Sequence, residues 1–67
     1  MKKALKVATK FAGERVKFVG SQSGTRYHSG RSDEELYFES ESGKHVVVYV
    51  SGVDNTMTAR KSDGVVW

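Results

Sequence analysis

Residues 35–51, ELYFESESGKHVVVYVS, constrain this chain more than any other stretch. Two runs rich in aromatic and β-branched residues flank Glu41-Ser42-Gly43, and such residues suit a pleated, half-buried surface. A three-residue loop ending in glycine is a common hairpin connection, built from a type I turn and a bulge. That loop sets Phe38 opposite Val46 and Leu36 opposite Val48, all on one side. On the other side stand Tyr37 opposite Val47, Glu39 opposite His45, and Glu35 opposite Tyr49. Because side chains alternate with a period of two, a one-residue slip would mix the two sets. A helical turn starting at Asp33, with Ser32 and Glu35 as a capping box, competes for the start of this segment. The weight of Tyr37, Phe38 and the valine run favours strand.

Glycines at 13, 20, 24, 30, 43, 52 and 64 punctuate further short runs, and proline is absent. Regular turn signals between short β-type runs indicate a small sandwich or barrel. Leu5, Val7, Thr9 and Phe11 alternate with Lys6, Ala8 and Lys10. With Gly13-Glu14 as a two-residue turn, Phe11 faces Val16, Thr9 faces Phe18, and Lys10 faces Lys17. Residues 2–12 also carry a helical pattern, because Ala4, Leu5, Ala8, Phe11 and Ala12 share one helical face. Residues 20–34 are rich in serine and glycine and read as a long loop with a short strand near 25–28. Gly52 to Asn55 reads as a turn, residues 56–61 as a strand, and Ser62-Asp63-Gly64 as a loop leading to a short closing strand ending at Trp67.

These readings give one mainly β domain over residues 1–67, a five- or six-stranded antiparallel barrel. It resembles SH3-like barrels in strand count and strand length. The alternative is an α+β domain with an N-terminal helix on a three- or four-stranded antiparallel sheet. A chain of 67 residues buries only about 60% of its unfolded surface, so its core is thin. It has no cysteine, which excludes a disulfide framework and cysteine-based zinc sites.

Charge is divided along the chain. Residues 1–31 carry eight Lys/Arg against Glu14 alone, while residues 32–67 carry seven Asp/Glu against Lys44, Arg60 and Lys61. Such asymmetry points to a charged partner. Met1-Lys2-Lys3 resembles the charged start of a secretory signal, but Lys6 and Lys10 interrupt the apolar stretch that would follow. The longest apolar run, Val46 to Val50, is far too short to span a bilayer. The chain reads as cytoplasmic, with no membrane partner.

No motif carries chemistry. Gly20-Ser-Gln-Ser-Gly24-Thr lacks the Lys-Ser/Thr ending of a phosphate loop, and the serines lack a nucleophile elbow. His28 and His45 lack the close spacing of a metal pair. A non-enzymatic binding module without cofactor or metal is therefore expected. Its first candidate site is cationic: Lys6, Lys10, Arg15 and Lys17 on one hairpin face, with Arg26, Tyr27 and Arg31 in the 20–34 loop. Opposed lysines are destabilising, and a nucleic-acid backbone would relieve them. The second is the face bearing Glu35, Tyr37, Glu39, His45 and Tyr49, suited to a host protein or a homodimer partner, since tyrosine is enriched in binding hot spots. The compact, motif-free profile is similar to that of small phage accessory proteins that act as inhibitors or adaptors of host enzymes.

Overall fold

The structure is a computed structural model and describes residues 2–62. Helix α1, Lys2–Ala12, precedes four strands: β1 Val16–Arg26, β2 Ser32–Ser40, β3 His45–Val50 and β4 Met57–Lys61. The strands form an antiparallel sheet in sequence order, β1-β2-β3-β4. Among the described residues the sheet is open, with β1 and β4 as its edges, so the expected barrel gives way to a helix on a four-stranded sheet. The expected loop at 62–64 and the closing strand at 65–67 run beyond the described residues.

The central hairpin has the register read from its sequence. Glu35 pairs with Tyr49, Leu36 with Val48, Tyr37 with Val47, Phe38 with Val46, and Glu39 with His45. Gly43 takes a φ of 91°, and its amide donates to the Ser40 carbonyl at 3.1 Å. That closes the three-residue loop, whose left-handed position glycine fills without a Cβ penalty. Ser32 to Glu35 belong to β2, not to a helical turn.

Residues 2–12 are helix, and the hairpin expected over 5–19 does not form. Four lysines, three alanines and a leucine fill most of the segment, and all are strong helix formers. Ala4, Ala8 and Ala12, one turn apart, are buried, and their small side chains bring the helix close to the sheet. Leu5 and Phe11 lie at the margins of this stripe, 37% and 40% exposed. Gly13 does have the positive φ expected of it, 77°. It is the left-handed residue that ends the helix, its amide donating to the Thr9 carbonyl at 2.9 Å.

The helix covers the inner face of the sheet and touches all four strands. Its alanines meet Val16, Leu36, Phe38, Val46 and Val48 in the core, with Val7, Val50, Met57 and Ala59 around them. Phe18 pairs with Phe38, and their rings meet edge-on with centroids 5.7 Å apart. On its edge strand Phe18 stays 44% exposed.

Residues 20–34 form a hairpin rather than a loop. β1 runs to Arg26 and pairs with β2 from Val16↔Ser40 out to Arg26↔Ser32, with irregularities after Phe18 and after Ser23. Most of β1 beyond Val16 is exposed, so no apolar alternation marks it as a strand.

Candidate nucleic-acid interface

At 3.6 residues per turn, Lys2, Lys3, Lys6 and Lys10 fall within an arc of about 100°, opposite the Ala4-Ala8-Ala12 stripe. All four are exposed. The rise from Lys2 to Lys10 is about 12 Å. The helix carries no acidic residue in its first turn or anywhere along its length. Among the described residues, none of the four has an ion-pair partner. The helix is fixed to the sheet at its far end: Lys44 Nζ donates to the Ala12 carbonyl at 3.0 Å. The Ser42 amide donates to Glu14 at 2.9 Å, and the Ser42 hydroxyl also bonds it. The Ser40 and Ser42 hydroxyls and the Ser42 amide hold the Glu14 carboxyl down at about 2.

The structure separates the cationic residues singled out in the sequence. Lys6 and Lys10 stand on the solvent face of α1. Arg15 lies in the connection from α1 to β1. Lys17 is on β1, directly across from Glu39, with Nζ 3.9 Å from its carboxylate. Lys10 and Lys17 are therefore not opposed, and the like-charge contact read from the sequence is replaced by an opposite-charge pair. Arg26, Tyr27 and Arg31 sit at the far end of the β1–β2 hairpin. The Arg31 guanidinium bonds Asn55 of the β3–β4 turn, and the Tyr27 hydroxyl donates to Asp33 at 2.8 Å. Sequence reasoning missed Lys2 and Lys3 as partners of Lys6. The i, i+4, i+8 spacing of residues 2, 6 and 10 was the signal.

The second candidate set is brought together. Glu35, Tyr37, Glu39, His45 and Tyr49 all lie on the sheet face away from α1. Their polar groups, however, are engaged with one another and with neighbours. His45 Nε2 is 3.6 Å from Glu39, and Arg60 donates to Glu35 at 3.0 Å. The Tyr37 hydroxyl lies 3.4 Å from Gln22 and from Glu35. Val47, between Tyr37 and Arg60 in the register, is buried.

Asp33 anchors this face and was not read from the sequence. It is only 6% exposed and accepts the Gly52 amide at 2.8 Å as well as the Tyr27 hydroxyl. Hydrogen bonds from Tyr49, Gly52 and Tyr27 lower its pKa. The same carboxylate pushes Tyr49 up to about 12 and raises Tyr27. Asp33 thus ties the hairpin tip, β3 and the β3–β4 turn together.

An open cleft of about 420 Å³ at the opposite end of the sheet lies between Arg15, Lys17, Glu39 and Glu41. Its mixed charges offer no single sign to a ligand. Among the described residues, no group of three or more His, Asp or Glu is placed to hold a metal ion. No helix among them is long and apolar enough to cross a membrane. No family model, curated protein or solved structure matches the chain significantly.

Proposed function

We propose that this chain is a non-enzymatic module that binds nucleic acid through the lysine face of α1. One observation carries the reading: four exposed lysines share one helical face with no carboxylate among them. Lys2–Lys6 and Lys6–Lys10 are like-charge pairs at i, i+4, each destabilising an isolated helix by about 0.2–0.5 kcal/mol. Lys2 and Lys3 also oppose the positive end of the helix dipole. A phosphate backbone laid on this face relieves both effects and releases its counterions. An anionic bilayer is a poorer fit. Surface helices bury an apolar face in lipid, whereas the apolar face of α1 is buried on the sheet. Arg15, Arg26 and Arg31 lie apart from this face, in the α1–β1 connection and at the hairpin tip, and the reading does not depend on them.

The test is fluorescence anisotropy with a labelled mixed-sequence oligonucleotide at low salt. The native chain should bind, and a variant with Lys2, Lys3, Lys6 and Lys10 all changed to Gln should not. Unchanged binding by that variant, with an unchanged circular dichroism spectrum, refutes the reading.

A second reading rests on the sheet face away from α1, where Tyr37 stands beside Glu35 and Glu39. A host protein or a second copy of the chain would dock there, as in an inhibitor or adaptor of the phage accessory kind. Tyr37→Ala is the informative change, because Tyr49 is engaged with Asp33. Loss of a captured partner on that change, with the fold retained, supports this reading. Retention of the partner counts against it.

A further inference from the structure

Resting on the nucleic-acid reading, the geometry points to a narrower ligand: we infer that the lysine face of α1 binds double-stranded DNA without regard to sequence. The argument comes from what that face lacks. Its solvent arc presents four ammonium groups and no aromatic ring, amide, guanidinium or carboxylate. Single strands are held by aromatic rings on which bases stack, beside a cationic track. Here Tyr37 and Tyr49 lie on the opposite side of the sheet, and the Tyr27 hydroxyl is bonded to Asp33 at the hairpin tip. Adenine edges are read by Asn or Gln and guanine edges by Arg or Lys, but lysine is a flexible point charge without the rigid fork of Arg and has no acceptor. The helix has no Arg, Asn or Gln. Duplex RNA is recognised through 2′-hydroxyls across a shallow minor groove, and its major groove is too deep and narrow for side chains to read.

What remains is attraction between closely spaced ammonium groups and a dense line of phosphate charge. Duplex DNA carries one negative charge per about 1.7 Å of axis. The roughly 12 Å rise of the lysine face therefore spans about seven phosphates, more than enough for each lysine. The B-form major groove, about 12 Å wide, also admits a helix. Because the alanine stripe holds α1 against the sheet, the lysines are presented on a fixed rod. The ligand therefore has to order only the side chains and not the helix itself.

The experiment measures anisotropy with four probes of about 20 nucleotides or base pairs: two DNA duplexes of unrelated sequence, one RNA duplex and one DNA single strand. Salt is varied from about 50 to about 200 mM. The two DNA duplexes should bind equally, and several-fold more tightly than the other probes. Four phosphate contacts give a log–log salt slope of about −3.6, a loss of about a hundredfold across this range. K6Q/K10Q should reduce the slope by about 1.8, and K2Q/K3Q by a similar amount, with the circular dichroism spectrum unchanged. Equal or tighter binding of the single strand or the RNA duplex overturns this inference while leaving the nucleic-acid reading in place. So does a preference between the two DNA sequences, whereas a slope unmoved in both variants overturns the lysine-face reading as well. No salt-dependent binding of any probe overturns both.

Discussion

Gly52 reads in the sequence as one more turn glycine, yet the structure makes it a packing position. A Cβ built there would lie 2.5 Å from the Ser32 carbonyl carbon, 2.6 Å from its oxygen and 3.0 Å from the Asp33 nitrogen. All three atoms are β2 backbone, so no side-chain rotation can make room. Restoring ordinary contact requires the turn and β2 to part by about 0.9 Å, and overpacking of this kind costs about 1–3 kcal/mol. The displacement also draws the Gly52 amide away from the Asp33 carboxylate it meets at 2.8 Å. A chain of this size has a total stability of about 3–10 kcal/mol, and each kcal/mol moves Tm by about 4–8 °C. Gly52→Ala should therefore lower Tm by about 5–20 °C in a thermal melt followed by circular dichroism. Two further glycines separate contact from backbone conformation. Gly20 has open space and no positive φ, so Gly20→Ala should be neutral or slightly stabilising. Gly43 has open space but a φ of 91°, so Gly43→Ala should cost about 1 kcal/mol from strain alone. A Gly52→Ala melt within about 2 °C of the native protein would show that the turn does not approach β2 as described.

Acid should weaken the fold, because Glu14, Asp33 and Asp54 all have lowered pKa values in the folded state. Their stabilisation is complete above the unfolded carboxyl range near 4.5 and is lost as pH falls toward the Glu14 value of about 2. Tm measured from pH 6 down to about 2 should trace that loss, and Ser42→Ala should flatten it. The alkaline side has the opposite sign. The Tyr49 phenol is raised to about 12, so its contribution holds below the ordinary value of 10 and fades as pH rises toward 12. Tyrosinate absorbance should accordingly show all three tyrosines ionising above the ordinary value, and Tyr49→Phe should remove the part that ionises near 12. In the core, Phe38→Ala should cost about 3–5 kcal/mol, comparable with the whole stability of the chain. It should leave a largely unfolded protein by amide proton dispersion; a native-like spectrum would contradict the central place of Phe38.

The hairpin at 35–50 was legible because local and tertiary signals agree there. Aromatic and β-branched residues, a glycine at the left-handed loop position and clean segregation of faces all specify one register. The segment at 2–12 was ambiguous because its apolar residues satisfy both periods. Leu5, Val7 and Phe11 support alternation, while Ala4, Ala8 and Ala12 support a helical stripe. Alanine settles the matter physically: it has the highest helix propensity and adds little to a strand face. The distal part of the β1–β2 hairpin was not legible for a different reason. Strand periodicity in sequence records burial of one face, and from Gly20 to Arg26 no residue of β1 is buried. Pairing there rests on backbone hydrogen bonds, which leave little trace in side-chain pattern. Asp33 was hidden because its partners, Tyr27, Tyr49 and Gly52, come from three separate turns and strands.

Turning residues 2–12 from strand to helix also changes what the positive charge means. As a strand, the segment would have set Lys10 against Lys17 within a sheet, and the repulsion would have been a single cross-strand contact. As a helix it gathers Lys2, Lys3, Lys6 and Lys10 on one arc and leaves Lys17 to Glu39 on the far side of the sheet. The charge asymmetry of the sequence thereby becomes a division between two surfaces. Negative charge on the outer sheet face is partly answered in place by Lys17 and Arg60, whereas the helix carries no acidic residue of its own. The two candidate surfaces are unequal for that reason. Ion pairs on the sheet face must be broken before a partner can use them, whereas among the described residues the lysines of α1 have no ion pair to break.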